Sequence, residues 1–222
     1  MPAFISKSKY LNGLQCRKLL WFYYNTKERM PAFDAEAQAV FDKGHEVDKR
    51  AKQLFPQGIE VTWDLGLEKG VLASNKMLAL RRPLFEAGFM YQNTFARADV
   101  LNPVDSDGWE LIEVKNRTRV KDVDINDMAL QYYCYTGAGV RIARCLLMHL
   151  KREQFGRTAH VPDDAFACED ITDKVLAASK DVERNVTEML AVISAPASPG
   201  IAVGPQCDKP YRCVMKTVCA AG

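Results

Sequence analysis

The chain changes its hydrophobic period near residue 82, and that change limits what it can fold into. Before it, apolar residues recur at helical spacing; after it, they fall in short runs bounded by turn residues. Residues 84–91 and 94–101 flank Gln92-Asn93, a pair suited to a tight hairpin turn. A second turn, from Asn102-Pro103 through Asp107-Gly108, leads into a strand over 109–116. Residues 122–138 read as a helix with Ile125, Met128, Ala129 and Tyr132 on one face. The largely apolar 140–150 reads as a central strand. Three antiparallel strands, a helix and a further strand imply a mixed α/β fold.

Helices are expected around this core. One covers 6–25, with Cys16 inside it. A second runs from Ala35 to Phe55, where Pro56 and Gly58 stop it, and a third covers 65–80. A long amphipathic helix over 172–193 carries Val175, Val182, Val186, Met189, Leu190 and Ile193, and a linker-like segment, 195–200, follows it. A chain of 222 residues, 48% of them apolar, suits one domain. Its parts are a helical region 1–82, a core 83–160, a C-terminal helix 170–195 and a tail 205–222.

No run of about 18 uncharged apolar residues occurs, so no membrane partner is expected. The N-terminus lacks the apolar stretch of a secretory signal, which points to the cytoplasm. No Gly-x-x-x-x-Gly-Lys loop is present, which argues against helicase activity. The net charge of +2 announces no particular partner. Its distribution says more: Lys115, Arg117, Arg119 and Lys121 alternate in one stretch, and Arg141, Arg144, Lys151 and Arg152 gather in another. These form either a phosphate-binding track or a solvated basic surface.

Glu113 and Lys115 lie two apart on a strand and so share a face, which Asp99 can meet from the preceding strand. A carboxylate pair beside a lysine is what phosphodiester hydrolysis needs. Asp99 and Glu113 can hold Mg²⁺ or Mn²⁺, and Lys115 can orient the attacking water. Alone, Glu-x-Lys is more often a solvated salt pair. His45, beside Gly44 at the margin of the second helix's apolar stripe, is either a structural hydrogen-bonding residue or an additional metal ligand. Gln131 and Tyr135 share a helix face, placed to contact a DNA phosphate or to support the catalytic lysine. Tyr132 and Tyr133 are expected to pack in the core.

Seven cysteines in a chain without an export signal point to ligation rather than disulfides. Cys207, Cys213 and Cys219 are evenly spaced in the tail and lack the closer Cys-x2–4-Cys pair of structural zinc sites. Cys16 is the candidate fourth ligand; Cys134, Cys145 and Cys168 read as buried hydrophobes. Spacing leaves zinc and an iron–sulfur cluster both open.

In order along the chain, these pieces resemble a family. Ser6-Lys7-Ser8-Lys9-Tyr10-Leu11-Asn12-Gly13-Leu14-Gln15-Cys16 is similar to the opening of Cas4-like and other iron–sulfur RecB-type nucleases. Gly44-His45-Glu46 resembles their first catalytic motif and Arg97-Ala98-Asp99-Val100-Leu101 their metal-binding aspartate, although Ala98 replaces the proline or glycine often found there. Glu113-Val114-Lys115 resembles the (D/E)XK element, and Gln131-Tyr132-Tyr133-Cys134-Tyr135 the Gln-x-x-x-Tyr helix after it. The nuclease modules of DUF2779-type bacterial proteins are similar throughout. The wider tail spacing departs from the Cys-x2-Cys pattern of many Cas4 proteins.

The resemblance implies a restriction-endonuclease-like core, a mixed sheet flanked by helices, within a single nuclease domain of the PD-(D/E)XK class. It implies Mg²⁺ or Mn²⁺ on His45, Asp99 and Glu113, with the Val114 carbonyl as a further ligand. It also implies a [4Fe–4S] cluster on Cys16, Cys207, Cys213 and Cys219. Gln131, Tyr135, Arg117 and Arg119 would hold DNA. The expected activity is exonucleolytic, on single-stranded DNA or free ends, in repair or in phage or CRISPR-type defence, with protein partners. The competing expectation is a catalytically weak DNA-binding adaptor in a larger complex.

Overall fold

The structure is a computed structural model that describes residues 3–31, 35–154 and 165–221, apart from the side chains of 35–41. The strands are β1 (Ile5–Ser6), β2 (Ile59–Glu60), β3 (Leu84–Phe85), β4 (Gly88–Tyr91), β5 (Thr94–Arg97), β6 (Val100–Val104), β7 (Gly108–Lys115), β8 (Ile142–Leu150) and β9 (Phe166–Asp170). The α-helices are α1 (Lys7–Gln15), α2 (Arg17–Asn25), α3 (Ala35–Gln53), α4 (Leu67–Met77), α5 (Asp122–Gly137), α6 (Thr172–Ser179), α7 (Val182–Ser194) and α8 (Lys216–Ala220). Six strands form a mixed sheet in the order β2-β3-β6-β7-β8-β9, and a smaller sheet runs β1-β5-β4. The expected mixed α/β architecture, a mixed sheet flanked by helices, is present.

Strand β7 organises the large sheet. It pairs antiparallel with β6 and parallel with β8, so the β7–α5–β8 segment is a crossover unit. Alternate residues of β7 serve opposite faces. Leu111 joins Met128 and Leu130 of α5 and Cys145 and Leu147 of β8 in one core. Ile112 and Val114 join Val47 and Ala51 of α3 in a second. Each face of the sheet thus carries its own helix.

Several boundaries differ from the sequence expectation. The strands expected over 84–91 and 94–101 are each interrupted. Glu86 takes a left-handed φ of 55°, so β3 and β4 enter different sheets, and Ala98 and Asp99 form the matching gap between β5 and β6. The hairpin turn is as expected: Gln92 and Asn93 both have positive φ, 39° and 61°, which a type I′ turn requires. Cys16 does not lie inside a helix; it is an extended residue at the break between α1 and α2. The long C-terminal helix is broken between Ser179 and Val182, and β9 was not expected at all. Among the described residues, no helix is long and apolar enough to cross a membrane.

Helix α5 is not amphipathic in the usual sense. Its apolar residues pack on the sheet, but Asp124, Asp127, Gln131 and Tyr135 form a buried stripe at spacings of three and four. Tyr132 and Tyr133, expected in the core, are only half-buried.

Trp63 shows how tightly the corner between the two sheets is filled. Its indole N–H donates to the Glu86 carbonyl (3.1 Å), and its ring lies against Gly70 of α4 and Gly88 of β4. A Cβ on Gly70 would sit 2.2 Å from a ring carbon. Gly to Ala inside a helix ordinarily stabilises by about 0.5–1 kcal/mol. Here Gly70→Ala is expected to destabilise by about 1–3 kcal/mol through overpacking. A thermal melt followed by circular dichroism reads the sign; a raised midpoint would contradict this packing.

Candidate active site

Register places the acidic residues. Val100 pairs with Ile112, so Asp99, one step back, faces Glu113. Because Asp99 lies in the gap between strands, its side chain turns toward the sheet, and its Oδ2 accepts the Val114 N–H at 2.7 Å. Tyr135, fully buried on α5, holds this gap: its hydroxyl donates to the Ala87 carbonyl and accepts the Ala98 N–H at 2.7 Å.

Glu113 is the centre of the cluster and is only 2% exposed. Lys115 donates to Oε1 at 2.6 Å, Gln131 to Oε2 at 2.8 Å, and Lys7, at the start of α1, to both at 3.0 and 2.8 Å. Lys115 also donates to Asp127 Oδ2 at 3.0 Å. Lys7 contacts the Arg97 carbonyl at 3.2 Å and stands 3.8 Å from Asp127 Oδ1. Two buried polar atoms in the cluster, Asp127 Oδ1 and Gln131 Oε1, accept no hydrogen bond.

The charges settle accordingly. Burial pushes the Glu113 carboxyl up, but the Lys115 and Lys7 ammonium groups outweigh it and hold the carboxyl well below its usual range. Burial and the charge of Glu113 raise Asp99 well above that range. Burial also raises Asp127, though Lys7 opposes it. Asp48 on α3 is pushed up to about 6 by burial and by the carboxylates of Glu113 and Glu86. Against the carboxylates of Asp48, Asp99, Glu113 and Asp127 stand the ammonium groups of Lys7 and Lys115. Fully ionised, the group carries two surplus negative charges. That surplus, in a desolvated setting with hard oxygen donors, suits a divalent cation. Among the described residues, no three His, Cys, Asp or Glu side chains are already closed into a metal cage, so an ion would have to draw them together.

Asp99, Glu113 and Lys115 therefore come together as the sequence suggested. His45 lies exposed on α3, outside the hydrogen-bonded cluster, and Asp48, one turn further along, faces the acidic group instead. Gln131 and Tyr135 cannot present themselves to a DNA strand in this structure, because both are fully buried. Nor does either touch Lys115, the other role offered for them: Gln131 bonds Glu113, and Tyr135 bonds the backbone of Ala87 and Ala98. Arg117 is tied to Asp124 at 3.0 Å, and Asp124 also accepts the Lys121 N–H at 2.9 Å, closing the start of α5. Arg119 is exposed. Lys7, Asp48 and Asp127 were missed. The available signals were the lysine in the N-terminal motif and an aspartate four residues before Gln131, on the same face of its helix.

At the other end of α1, Cys16, Cys207, Cys213 and Cys219 line one small pocket with Leu19 and Met215. The thiol of Cys213 is pushed up by burial and by its proximity to the other three. Cys134 and Cys145 are buried as expected, but Cys168 is exposed on the edge strand β9.

No protein-family model and no curated protein matches the chain. Among solved structures, it is similar to an alkaline exonuclease, LHK-Exo, from Laribacter hongkongensis, at 14% identity and a TM-score of 0.44 over 86% of this chain and 87% of that one. The same enzyme in complex with dAMP gives 15% identity and a TM-score of 0.45 over the same shares. Likeness at this level carries no weight on the residues of the site.

The buried amide of Gln131 gives a direct check on the cluster. Gln131→Met keeps much of the volume but removes a donor to a buried carboxylate, and should cost about 1–3 kcal/mol. Urea unfolding should show a lower midpoint with unchanged slope. A neutral result would mean that Glu113 does not depend on this contact.

Proposed function

We propose that the chain is a divalent-metal-dependent deoxyribonuclease of the PD-(D/E)XK class that works from DNA ends. The observation that carries this is the meeting of Asp99, Glu113 and Lys115 where β6 and β7 pair, with the carboxyl groups of Asp48 and Asp127 close by. Asp99, Glu113 and the Val114 carbonyl would hold Mg²⁺ or Mn²⁺; His45, exposed on α3, would join them only by turning inward, past Asp48, which already faces the group. When bound, the ion polarises a phosphoryl oxygen and lowers the pKa of the attacking water. Lys115, steadied by Glu113 and Asp127, would orient that water and offset charge developing on the phosphate. Gln131 and Tyr135 would fix Glu113 and the Asp99 gap, and Arg117 and Arg119 would follow the DNA backbone.

Single-stranded DNA with a free end is the substrate we assign. DNA repair or phage defence is the setting we assign, with unwinding left to a partner protein.

The test is cleavage of end-labelled single- and double-stranded DNA with Mg²⁺ or Mn²⁺. Asp99→Ala and Lys115→Ala should each lose at least about a hundredfold in rate while keeping their circular dichroism spectra. Undiminished cleavage by either variant would overturn the assignment. Binding without cleavage by the unaltered protein would make it an adaptor.

We also assign Cys16, Cys207, Cys213 and Cys219 to one [4Fe–4S] cluster. The support is their arrangement around a single pocket and the softness of four thiolate donors. Such a clasp would pin the α1–α2 break to the tail beside the packing of Leu19 and Phe22 on Met215, so that ligation energy acts as folding energy. Anaerobic purification should give a brown protein with visible thiolate-to-iron absorption, which Cys213→Ala loses. A colourless protein holding one zinc per chain would replace the cluster with zinc.

A further inference from the structure

Glu113 has no room for a metal ion in the arrangement described. A carboxylate offers about four lone-pair sites, two per oxygen. Oε1 takes Lys7 at 3.0 Å and Lys115 at 2.6 Å; Oε2 takes Lys7 at 2.8 Å and Gln131 at 2.8 Å. All are filled, so an ion can reach Glu113 only when a donor leaves.

The three donors differ in what else they can bond. Gln131 is fully buried on α5. Lys115 is anchored a second time by Asp127 Oδ2 at 3.0 Å. Lys7 also has a second partner, the Arg97 carbonyl at 3.2 Å, but it alone has an unfilled acceptor within reach: Asp127 Oδ1 lies 3.8 Å from its ammonium, buried and without a hydrogen bond. A shift of roughly 1 Å would bring that pair to ordinary hydrogen-bond distance. It would satisfy an orphaned acceptor, and a move directed away from Glu113 would lengthen the Lys7 bonds to both of its oxygens together.

We propose that Lys7 is the site's resident counter-cation, which a divalent ion displaces from Glu113 and which Asp127 Oδ1 then receives. The inference rests on the metal-dependent reading of the site and gives a role to a lysine that this reading leaves without one. Lys7 keeps Glu113 ionised and placed while no ion is bound, and it sets the threshold for binding one. After the hand-off its positive charge stays within the cluster, and it acts as a positioning residue.

The experiment is direct Mn²⁺ binding to metal-free protein, followed by the electron paramagnetic resonance signal of free Mn²⁺. Lys7→Met should bind Mn²⁺ about tenfold more tightly or better, because the competing charged hydrogen bonds are gone. Its metal-free melting temperature should fall, and Mn²⁺ should restore more of it than in the unaltered protein. Lys7→Gln should act in the same direction, and Lys7→Arg, whose fork grips both oxygens, should bind Mn²⁺ more weakly. Asp127→Asn should weaken binding several-fold, and that penalty should shrink markedly in the Lys7→Met background, since the two residues act as one device.

Equal affinity in the unaltered protein and Lys7→Met, or an Asp127→Asn penalty unchanged in that background, would overturn the hand-off. Mn²⁺-dependent cleavage would leave the nuclease assignment standing in that case. If neither neutral variant folds, Lys7→Arg decides: tighter or equal Mn²⁺ binding overturns the proposal. Failure of the unaltered protein and every variant to bind Mn²⁺ would remove both readings together.

Discussion

One carboxylate organises this molecule. Glu113 is almost wholly buried, and an isolated ionised carboxylate there would be untenable. It survives because donors reach it from three separate elements: α1 through Lys7, its own strand through Lys115, and α5 through Gln131. Each contact recruits a different part of the chain. The N-terminal helix cannot be placed without satisfying Lys7, α5 must turn its polar stripe inward, and β7 must stay central so that water is kept out.

This arrangement explains why the two ends of α1 matter together. Lys7 starts the helix inside the acidic cluster, and Cys16 follows its last residue at the break before α2. Gln15, beside that break, donates to the Gln206 and Tyr211 carbonyls of the tail at 2.8 and 2.7 Å. A nine-residue helix thus runs from the candidate catalytic centre to the cysteine pocket. The two features first appear in the sequence as unrelated motifs, yet they are opposite ends of one rigid rod.

Much of this was legible from the sequence where local chemistry decides. Gln92-Asn93 predicts a turn because Asn tolerates positive φ, and Glu113 and Lys115 share a face because strands alternate. The parts that were not legible depend on tertiary context. Nothing in Glu86 announces a left-handed residue, so the division of one hairpin between two sheets was hidden. The stripe of Asp124, Asp127, Gln131 and Tyr135 would be solvated on most helices; burial follows only because Lys7, Lys115 and Arg117 arrive from elsewhere to meet it. Cys16 was assigned to a helix interior because helical periodicity continues on both sides of it.

The paired interruption at Glu86 and at Ala98-Asp99 divides labour within the hairpin. On one side, β3 and β6 belong to the sheet that carries the acidic residues; on the other, β4 and β5 extend outward to Gln92-Asn93. Tyr135 and Trp63 pin the corner between the limbs, while the outer limb rests on α5 through Tyr133, whose hydroxyl donates to Gln92 at 2.7 Å, and pairs through β5 with β1, the residues just before Lys7. The turn at Gln92-Asn93 is therefore joined to the acidic cluster by two routes, along α5 and through β1 into α1, so a change at the tip of the hairpin would be felt at both Gln131 and Lys7.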